Sequence, residues 1–208
     1  MKFKLLGWPE IAEKNMTHSN IYPFKTRPYA HQRKAWELSR EKDEFALFMD
    51  MGTGKSKVII DTIAWLYDKG RIDSALIVAP KGVYQNWIRN EIPTHLPDHI
   101  VTQQAAWYSS PKKDQEKAIK NILTPTHDLR IFVMNVEAFS TSKGVKFAES
   151  FMRCAGKCMM IVDESTTIKS PKASRTKSII RIGIQAKYRR ILTGEPVTRS
   201  PLDLYTQF

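Results

Sequence analysis

The chain has 208 residues, 42% hydrophobic and 26% charged, which is typical of about one globular domain and argues against a collagen-like, low-complexity or largely disordered protein. Its 33 Lys and Arg residues exceed its 21 Asp and Glu residues, and the resulting charge of +12 predicts a polyanionic partner, either nucleic acid or an acidic membrane surface. A membrane-spanning segment is excluded, because no uncharged apolar run approaches the roughly 20 residues that a spanning helix needs.

Residues 1–24 show no clear period and are predicted to form an N-terminal extension, followed by one domain over residues 25–208. The apolar stretch after the basic start is too short for a signal peptide, so we expect an intracellular protein. Cys154 and Cys158 are predicted to be buried free thiols, since no histidine lies near them in the chain to complete a zinc site.

The first half of the domain is predicted to alternate helices with short buried strands. The predicted elements are a helix over about 31–42, a strand over 45–49, a helix reaching about Lys69, a strand over 75–79, a mostly helical stretch over 83–96 that Pro93 kinks or ends, and a strand within 100–108.

The second half repeats this alternation. The predicted elements are a helix over 111–123 with Pro111 in its first turn, a strand over 129–134, a helix over 145–155, a strand over 158–162, a helix near 174–184 and a strand over 190–193. Strands separated by helices predict right-handed crossovers, and therefore an α/β fold with a mostly parallel sheet and helices on both faces. Ligands of such sheets bind at the carboxyl ends of the strands.

A glycine-rich loop follows the first predicted strand and begins a helix. Its candidate phosphate-binding residues are Gly52, Thr53, Gly54, Lys55 and Ser56. Glycines allow backbone N–H groups to surround phosphate oxygens at the helix terminus, the lysine reaches the terminal phosphates, and the serine hydroxyl holds Mg²⁺. The full phosphate-loop pattern has Gly at the position of Met49, and a glycine turn that merely joins strand to helix is the alternative.

An acidic pair ends the strand predicted over residues 158–162. Asp163 is predicted to hold Mg²⁺ and Glu164 to polarise the attacking water, because one carboxylate must stay on the metal while the other faces the nucleophile. Acids at strand ends are more often solvated turn residues, but together with Lys55 this pair predicts nucleoside triphosphate binding and hydrolysis.

A basic stretch without acids lies between Ser165 and Gly194. It predicts a track for a phosphate backbone whose affinity falls with salt, the alternative being a solvated helix face. Lys81, after the strand over 75–79, is a further candidate. The basic residues of the stretch are Lys169, Lys172, Arg175, Lys177, Arg181, Lys187, Arg189 and Arg190.

The ordered set of motifs resembles the first RecA-like domain of superfamily 2 helicases, and within them the Swi/Snf-type double-stranded DNA translocases and their phage relatives. The resemblance covers about residues 25–208 and implies a RecA-like P-loop NTPase domain that uses ATP and Mg²⁺. The matching segments are 27–32 (Q motif), 50–56 (motif I), 76–87 (motif Ia), 133–137 (motif Ib), 163–172 (motif II) and 192–197 (motif III).

The resemblance also implies residue roles. Gln32 would read the adenine edge, and Lys81 with Gly82 in motif Ia would contact a DNA strand. Asn135 is a candidate backbone contact. Motif III, with Thr193 and Gly194, would couple the state of ATP to the DNA contacts.

This sequence departs from the family pattern at three places. Members of this superfamily commonly lack the first loop glycine, so Met49 agrees with the resemblance. Ser165 and Thr166 stand where many relatives carry Ala-His. Glu195 stands where Thr is usual in motif III, which puts the coupling in doubt more than ATP binding.

The family's second RecA-like lobe, which closes over ATP and supplies arginine fingers, has no counterpart in the 208 residues. An arginine finger accelerates phosphoryl transfer by about 10³ to 10⁵. We therefore expect the chain to bind nucleotide better than it hydrolyses it, as a truncated N-terminal lobe or with a lobe supplied in trans.

The function expected from the sequence is the ATP-binding lobe of a DNA-dependent ATPase that translocates on duplex DNA. The first alternative is a nucleic-acid-binding module that keeps the fold with little or no turnover, which Glu195 and the missing lobe favour. The second is a small-molecule or protein kinase of P-loop type, in which the basic stretch would have no role.

Overall fold

The computed structural model of the protein describes residues 22–168 and 170–195. Six strands pair in parallel in one sheet, in the order β1-β6-β5-β2-β4-β3. They are β1 (Glu44–Phe48), β2 (Ser74–Ala79), β3 (Thr102–Ala106), β4 (Leu129–Asn135), β5 (Cys158–Asp163) and β6 (Tyr188–Thr193). The predicted α/β fold with a parallel sheet is confirmed.

Helices cover both faces of this sheet, as predicted. They are α1 (Ala30–Ser39), α2 (Lys55–Asp68), α3 (Tyr84–Asn86), a π-helical turn (Trp87–Glu91), α4 (Ile92–His95), α5 (Lys113–Ile122), α6 (Ser142–Cys154) and α7 (Ser174–Gly183). Side chains of α1, α2 and the segment 84–95 share one hydrophobic core, and those of α5, α6 and α7 share the other. None of these described helices is long and apolar enough to cross a membrane.

The central strands are buried because helices shield both of their faces. Every residue of β2 is buried, and only the last residue of β4 is partly exposed. Continuous apolar runs of this kind are typical of strands inside a parallel sheet. The residues that directly follow these strands all emerge at one edge of the sheet, which places the predicted motifs there.

The stretch predicted as a kinked helix over 83–96 is divided into three short helical pieces. Pro93 has no N–H to donate, so a regular α-helix cannot continue through it. In the π-helical turn before it, the backbone N–H of Ile92 donates to the carbonyl of Trp87, and Pro93 lies in the first turn of α4. A π-helical turn inside a helix is frequent at functional sites.

Aromatic residues just before α1 pack onto the domain. Tyr22 and Phe24, which the sequence analysis placed in the N-terminal extension, contact the ring of Trp36, and the Tyr22 hydroxyl donates to Asp68 Oδ2 over 2.6 Å. Residues 1–21 of the predicted extension lie outside the described residues.

Two local predictions are corrected. Pro111 is not in the first turn of α5, because that helix begins at Lys113 with Lys112 as its N-cap. Cys158 is buried in β5 as predicted, but Cys154 is exposed, since it is the last residue of α6 and follows the buried turn of that helix.

Candidate functional site

Three predicted motifs meet because β1, β6 and β5 are neighbours in the sheet. In the strand register, Phe48 of β1 pairs with Thr193 of β6, and Leu192 of β6 pairs with Asp163 of β5. The glycine-rich loop, the acidic pair and the Thr193–Gly194 step therefore lie side by side at the carboxyl edge.

The glycine-rich loop turns through two left-handed glycines. Gly52 has φ of +75° and Gly54 has φ of +87°, conformations that residues with a Cβ rarely adopt. Gly54 is the N-cap of α2, so the loop leads directly into the positive end of a 14-residue helix. The Lys55 ammonium donates to the carbonyls of Met49 and Asp50 over 2.9 and 3.2 Å. These features can hold an anion at the start of α2.

The acidic pair occupies the end of β5. Asp163 Oδ2 accepts a hydrogen bond from the indole N–H of Trp87 over 3.1 Å, and Oδ1 accepts the backbone N–H of Glu164 over 3.0 Å. Burial raises the pKa of Asp163, and the neighbouring Glu164 adds to this rise, whereas the Trp87 bond and the charge of Lys55 lower it.

Glu164 is held in an unusual backbone conformation. Its φ of 49° makes it the one described residue other than glycine with positive φ, and such outliers often accompany functional sites. The Thr193 hydroxyl lies 3.5 Å from Glu164 Oε2 and accepts the backbone N–H of Glu195 over 3.1 Å. Motif III thus contacts the acidic pair directly.

Gly194 lies against the glycine-rich loop on its other side. A Cβ at Gly194 would come within 3.3 Å of Met51 Cγ, and the N–H of Met49 donates to the Thr193 carbonyl over 3.3 Å. The predicted coupling residues therefore touch both the loop and the acidic pair.

Gln32 is buried beside the same loop, with 6% of its surface exposed. Its Nε2 donates to the Thr53 carbonyl over 3.0 Å, and its Oε1 accepts the backbone N–H of Tyr29 over 3.0 Å. It borders a cavity of about 630 Å³ between residues 26–32, α2 and α4. The adenine role assigned to Gln32 stays a prediction, and the structure places the residue where a base could bind.

The donor set suits Mg²⁺. Ser56 in the first turn of α2 offers a hydroxyl and Asp163 a carboxylate, and hard cations of this kind prefer oxygen ligands together with substrate phosphates and water. Among the described residues, no three His, Cys, Asp or Glu side chains cluster closely enough to hold a metal alone.

The predicted nucleic-acid contacts are distributed along the same edge. Lys81 and Gly82 follow β2 and are exposed, and Asn135 ends the neighbouring strand β4, paired in register with Ala79. The Asn135 Oδ1 atom is buried and has no hydrogen-bond partner among the described residues. Lys172 is exposed just before α7, and Lys169 lies outside the described residues.

The basic stretch does not form one continuous track. Arg190 is 1% exposed and donates to the carbonyls of Ser39 and Lys42, and Arg189 forms an ion pair with Glu44. Both arginines lie in the first half of β6, so they face away from the carboxyl edge. The prediction is wrong for them because charge counting ignores the direction of a strand.

Four functional candidates were missed by the sequence analysis. Trp87 reaches Asp163 from 76 positions away, which no local pattern signals. Lys57 and Asp61 form an ion pair inside the apolar side of α2, and their spacing of four residues was a usable signal. His95 lines the cavity beside Gln32.

A protein-family model described as the SNF2-related domain matches residues 29–208. Protein CHROMATIN REMODELING 24 of Arabidopsis thaliana is 27% identical over 205 residues, which is 93% of this chain and 18% of that protein. The ATP-dependent helicase FUN30 of Saccharomyces cerevisiae is 25% identical over 167 residues, which is 80% of this chain and 14% of that protein. The chain therefore spans less than a fifth of these relatives.

Among solved structures, the SWI2/SNF2 ATPase core of Sulfolobus solfataricus in complex with double-stranded DNA superimposes with a TM-score of 0.67 at 20% identity. The match covers 89% of this chain and 36% of that one. This likeness confirms the RecA-like fold that the sequence predicted.

Proposed function

Because the chain belongs to the SNF2-related domain family, we propose that it is the ATP-binding lobe of a DNA-dependent ATPase that translocates on duplex DNA inside the cell. The observation that carries this proposal is the meeting of the glycine-rich loop, the Asp163–Glu164 pair and Thr193–Gly194 at one edge of the sheet. Family membership supports an ATPase in general, and this geometry supports the particular roles.

In the proposed site, Gly52 to Ser56 bind the phosphates of ATP, and Ser56 and Asp163 hold Mg²⁺. The metal ion, when bound, neutralises charge on the transferring phosphate. Glu164 orients the attacking water, and the Thr193 hydroxyl contacts its carboxylate. Gln32 faces the base of the nucleotide, and it also braces the loop through the Thr53 carbonyl.

Duplex DNA is proposed to bind along the carboxyl edge, at Lys81, Gly82, Asn135 and Lys172. Lys169, which lies outside the described residues, is proposed as a further contact. The net charge of +12 supports a polyanionic partner, and the structural neighbour from Sulfolobus solfataricus was solved with double-stranded DNA. The exposed positions of Lys81 and Lys172 leave both ammonium groups accessible to phosphates.

A second RecA-like lobe, in the same chain or in a partner, is proposed to complete the cycle. The match to FUN30 covers only 14% of that protein, which leaves room for such a lobe in the relative. Because the arginine finger of phosphoryl-transfer enzymes contributes about 10³ to 10⁵ in rate, the 208-residue chain should hydrolyse ATP slowly.

The second candidate function is a nucleic-acid-binding module with the helicase fold and little turnover. Glu195 favours it, because an acid replaces the usual Thr directly beside Thr193, whose hydroxyl accepts the Glu195 N–H. In this function the ATP site would regulate DNA binding.

ATP hydrolysis with and without duplex DNA separates these functions. DNA-stimulated hydrolysis that Lys55→Ala abolishes would support the motor and exclude the pure binding module. Lys55→Ala should weaken ATP binding, while Glu164→Gln should leave binding within about twofold and slow hydrolysis by about 10² or more. Equal loss of ATP binding in both variants would contradict the assigned roles.

A further inference from the structure

An ion pair lies inside the domain directly after the phosphate loop. Lys57 is 5% exposed and Asp61 is 1% exposed, and Lys57 Nζ donates to Asp61 Oδ2 over 2.8 Å. Removing two charges from water costs several kcal/mol for each ion, and a well-packed apolar pair is often at least as stable. Stability alone therefore does not account for charges at these positions.

Lys57 makes a second bond that leaves its own helix. Its Nζ also donates to the Thr26 carbonyl over 2.8 Å, and this carbonyl belongs to the segment that precedes α1. The Thr26 hydroxyl in turn lies 2.7 Å from His95 Nδ1 in α4. Polar contacts thus link α2 to the segment that precedes α1, and link that segment in turn to α4.

These three elements form the walls of the cavity beside Gln32. Its lining includes Thr26, Tyr29, Gln32, Lys57, Glu91 and His95, and its volume is about 630 Å³. The wall formed by residues 26–32 is held at both ends. Gln32 bonds to the Thr53 carbonyl at one end, and Lys57 bonds to the Thr26 carbonyl at the other.

Helix α2 therefore carries two lysines that contact different parts of the site. Lys55, in its first turn, belongs to the phosphate loop, whereas Lys57, two residues later, holds the wall of the cavity. The distance between the phosphate site and the cavity is fixed by a single rigid helix.

We propose that Lys57 is a positioning residue that holds residues 26–32 against α2, so that the cavity accepts the base of a nucleoside triphosphate whose phosphates bind at the loop. Asp61 keeps the Lys57 ammonium aimed at the Thr26 carbonyl. This inference rests on the proposed nucleotide site and adds to it the ion pair that positions the segment facing the base.

The test compares two ligands that share phosphates and differ in the base. The affinities of the 208-residue chain for ATP and for inorganic tripolyphosphate are measured by calorimetry in the wild type and in Lys57→Met. Because a bond to a charged group is lost, Lys57→Met should weaken the affinity for ATP about tenfold. The affinity for tripolyphosphate should stay within about twofold of the wild-type value. Lys34→Met, at an exposed position of α1, is the matched control and should change neither affinity.

A double variant, Lys57→Met with Asp61→Leu, guards against misfolding of the single variant. It replaces the buried ion pair with apolar side chains, which is often neutral for stability. It should show the same selective loss of ATP affinity. Equal weakening of both ligands, or no weakening, would overturn the positioning role. Failure of the wild type to bind either ligand would instead overturn the proposed nucleotide site.

Discussion

At the scale of single residues, two glycines of the phosphate loop share a left-handed backbone but differ in what surrounds them. A Cβ at Gly54 would lie 2.3 Å from Gln32 Nε2, whereas a Cβ at Gly52 would meet nothing within 4 Å. The Gly54 position therefore joins the loop to the Q motif residue by close contact, whereas Gly52 has no such neighbour.

This difference predicts unequal effects of alanine. Both Gly52→Ala and Gly54→Ala should lose about 1–2 kcal/mol of unfolding free energy from left-handed strain. Gly54→Ala should lose about 1 kcal/mol more, because the new Cβ displaces Gln32 from the Thr53 carbonyl. Denaturant unfolding without nucleotide measures both values, and equal losses would show that the Gln32 contact contributes nothing.

The Asp163 carboxylate accepts its side-chain hydrogen bond from Trp87, a residue far away in the chain. Trp87 is 2% exposed, and its indole N–H is the side-chain donor that lowers the pKa of a carboxyl whose burial raises it. Trp87→Phe should therefore weaken binding of Mg²⁺ with ATP by about tenfold, since bonds to charged groups contribute about 1.5–3 kcal/mol.

The control for Trp87→Phe is Trp107→Phe, because Trp107 is also buried but belongs to the hydrophobic core on the other face of the sheet. ATP titrations at several Mg²⁺ concentrations compare the two variants. If both lose the same affinity, general loosening of the domain rather than the Asp163 bond explains the result.

At the scale of elements, the parts of the site that could be predicted from the sequence are those that lie at the end of a predicted strand. The loop follows β1 and the acidic pair is at the end of β5, and only β6 separates these two strands in the sheet. Because the strands are parallel, their carboxyl ends lie at the same edge, which was enough to predict that the two motifs meet. Trp87 and His95 could not be predicted in the same way. Their partners, Asp163 and Thr26, are 76 and 69 residues away, and a π-helical turn over Trp87–Glu91 interrupts the predicted helix.

Helix α2 contains a carboxyl group, that of Asp61, whose pKa is shifted by burial. Burial raises the pKa of Asp61 to about 6 from an ordinary value of 3.8, although the bond from Lys57 opposes the rise. The folded state thus holds this proton more tightly than the unfolded state does. The stability that Asp61 contributes is complete below about pH 3.8 and is lost as the pH rises through about 6.

Asp61→Asn isolates this titration, because asparagine does not ionise in this range. The unfolding free energy of the wild type minus that of Asp61→Asn should fall by about 3 kcal/mol between acidic and neutral pH and then stay level. Denaturant unfolding across this range measures the difference. A difference that rises with pH would mean that Lys57 outweighs burial.

At the scale of the whole molecule, exposed lysines of the described part of the chain lie at both edges of the sheet. Lys187 directly precedes β6 and is exposed at the amino edge, whereas Lys81 and Lys172 follow strands at the carboxyl edge. Composition indicates only the sign of a partner's charge, whereas the strand directions separate basic residues at the carboxyl edge of the sheet from those at the amino edge.

Salt dependence tests this separation. Each phosphate contact that is lost should make the slope of log affinity against log salt less negative by about 0.9, so Lys81→Ala combined with Lys172→Ala should change the slope by about 2 for duplex DNA. Lys81→Ala alone should change the slope by about 0.9, whereas Lys187→Ala, which also removes one positive charge but at the amino edge, should leave the slope unchanged. Because the two variants are compared at equal ionic strength, a general effect of net charge would appear in both. A slope that changes with Lys187→Ala and not with the carboxyl-edge pair would move the DNA to the opposite edge of the sheet.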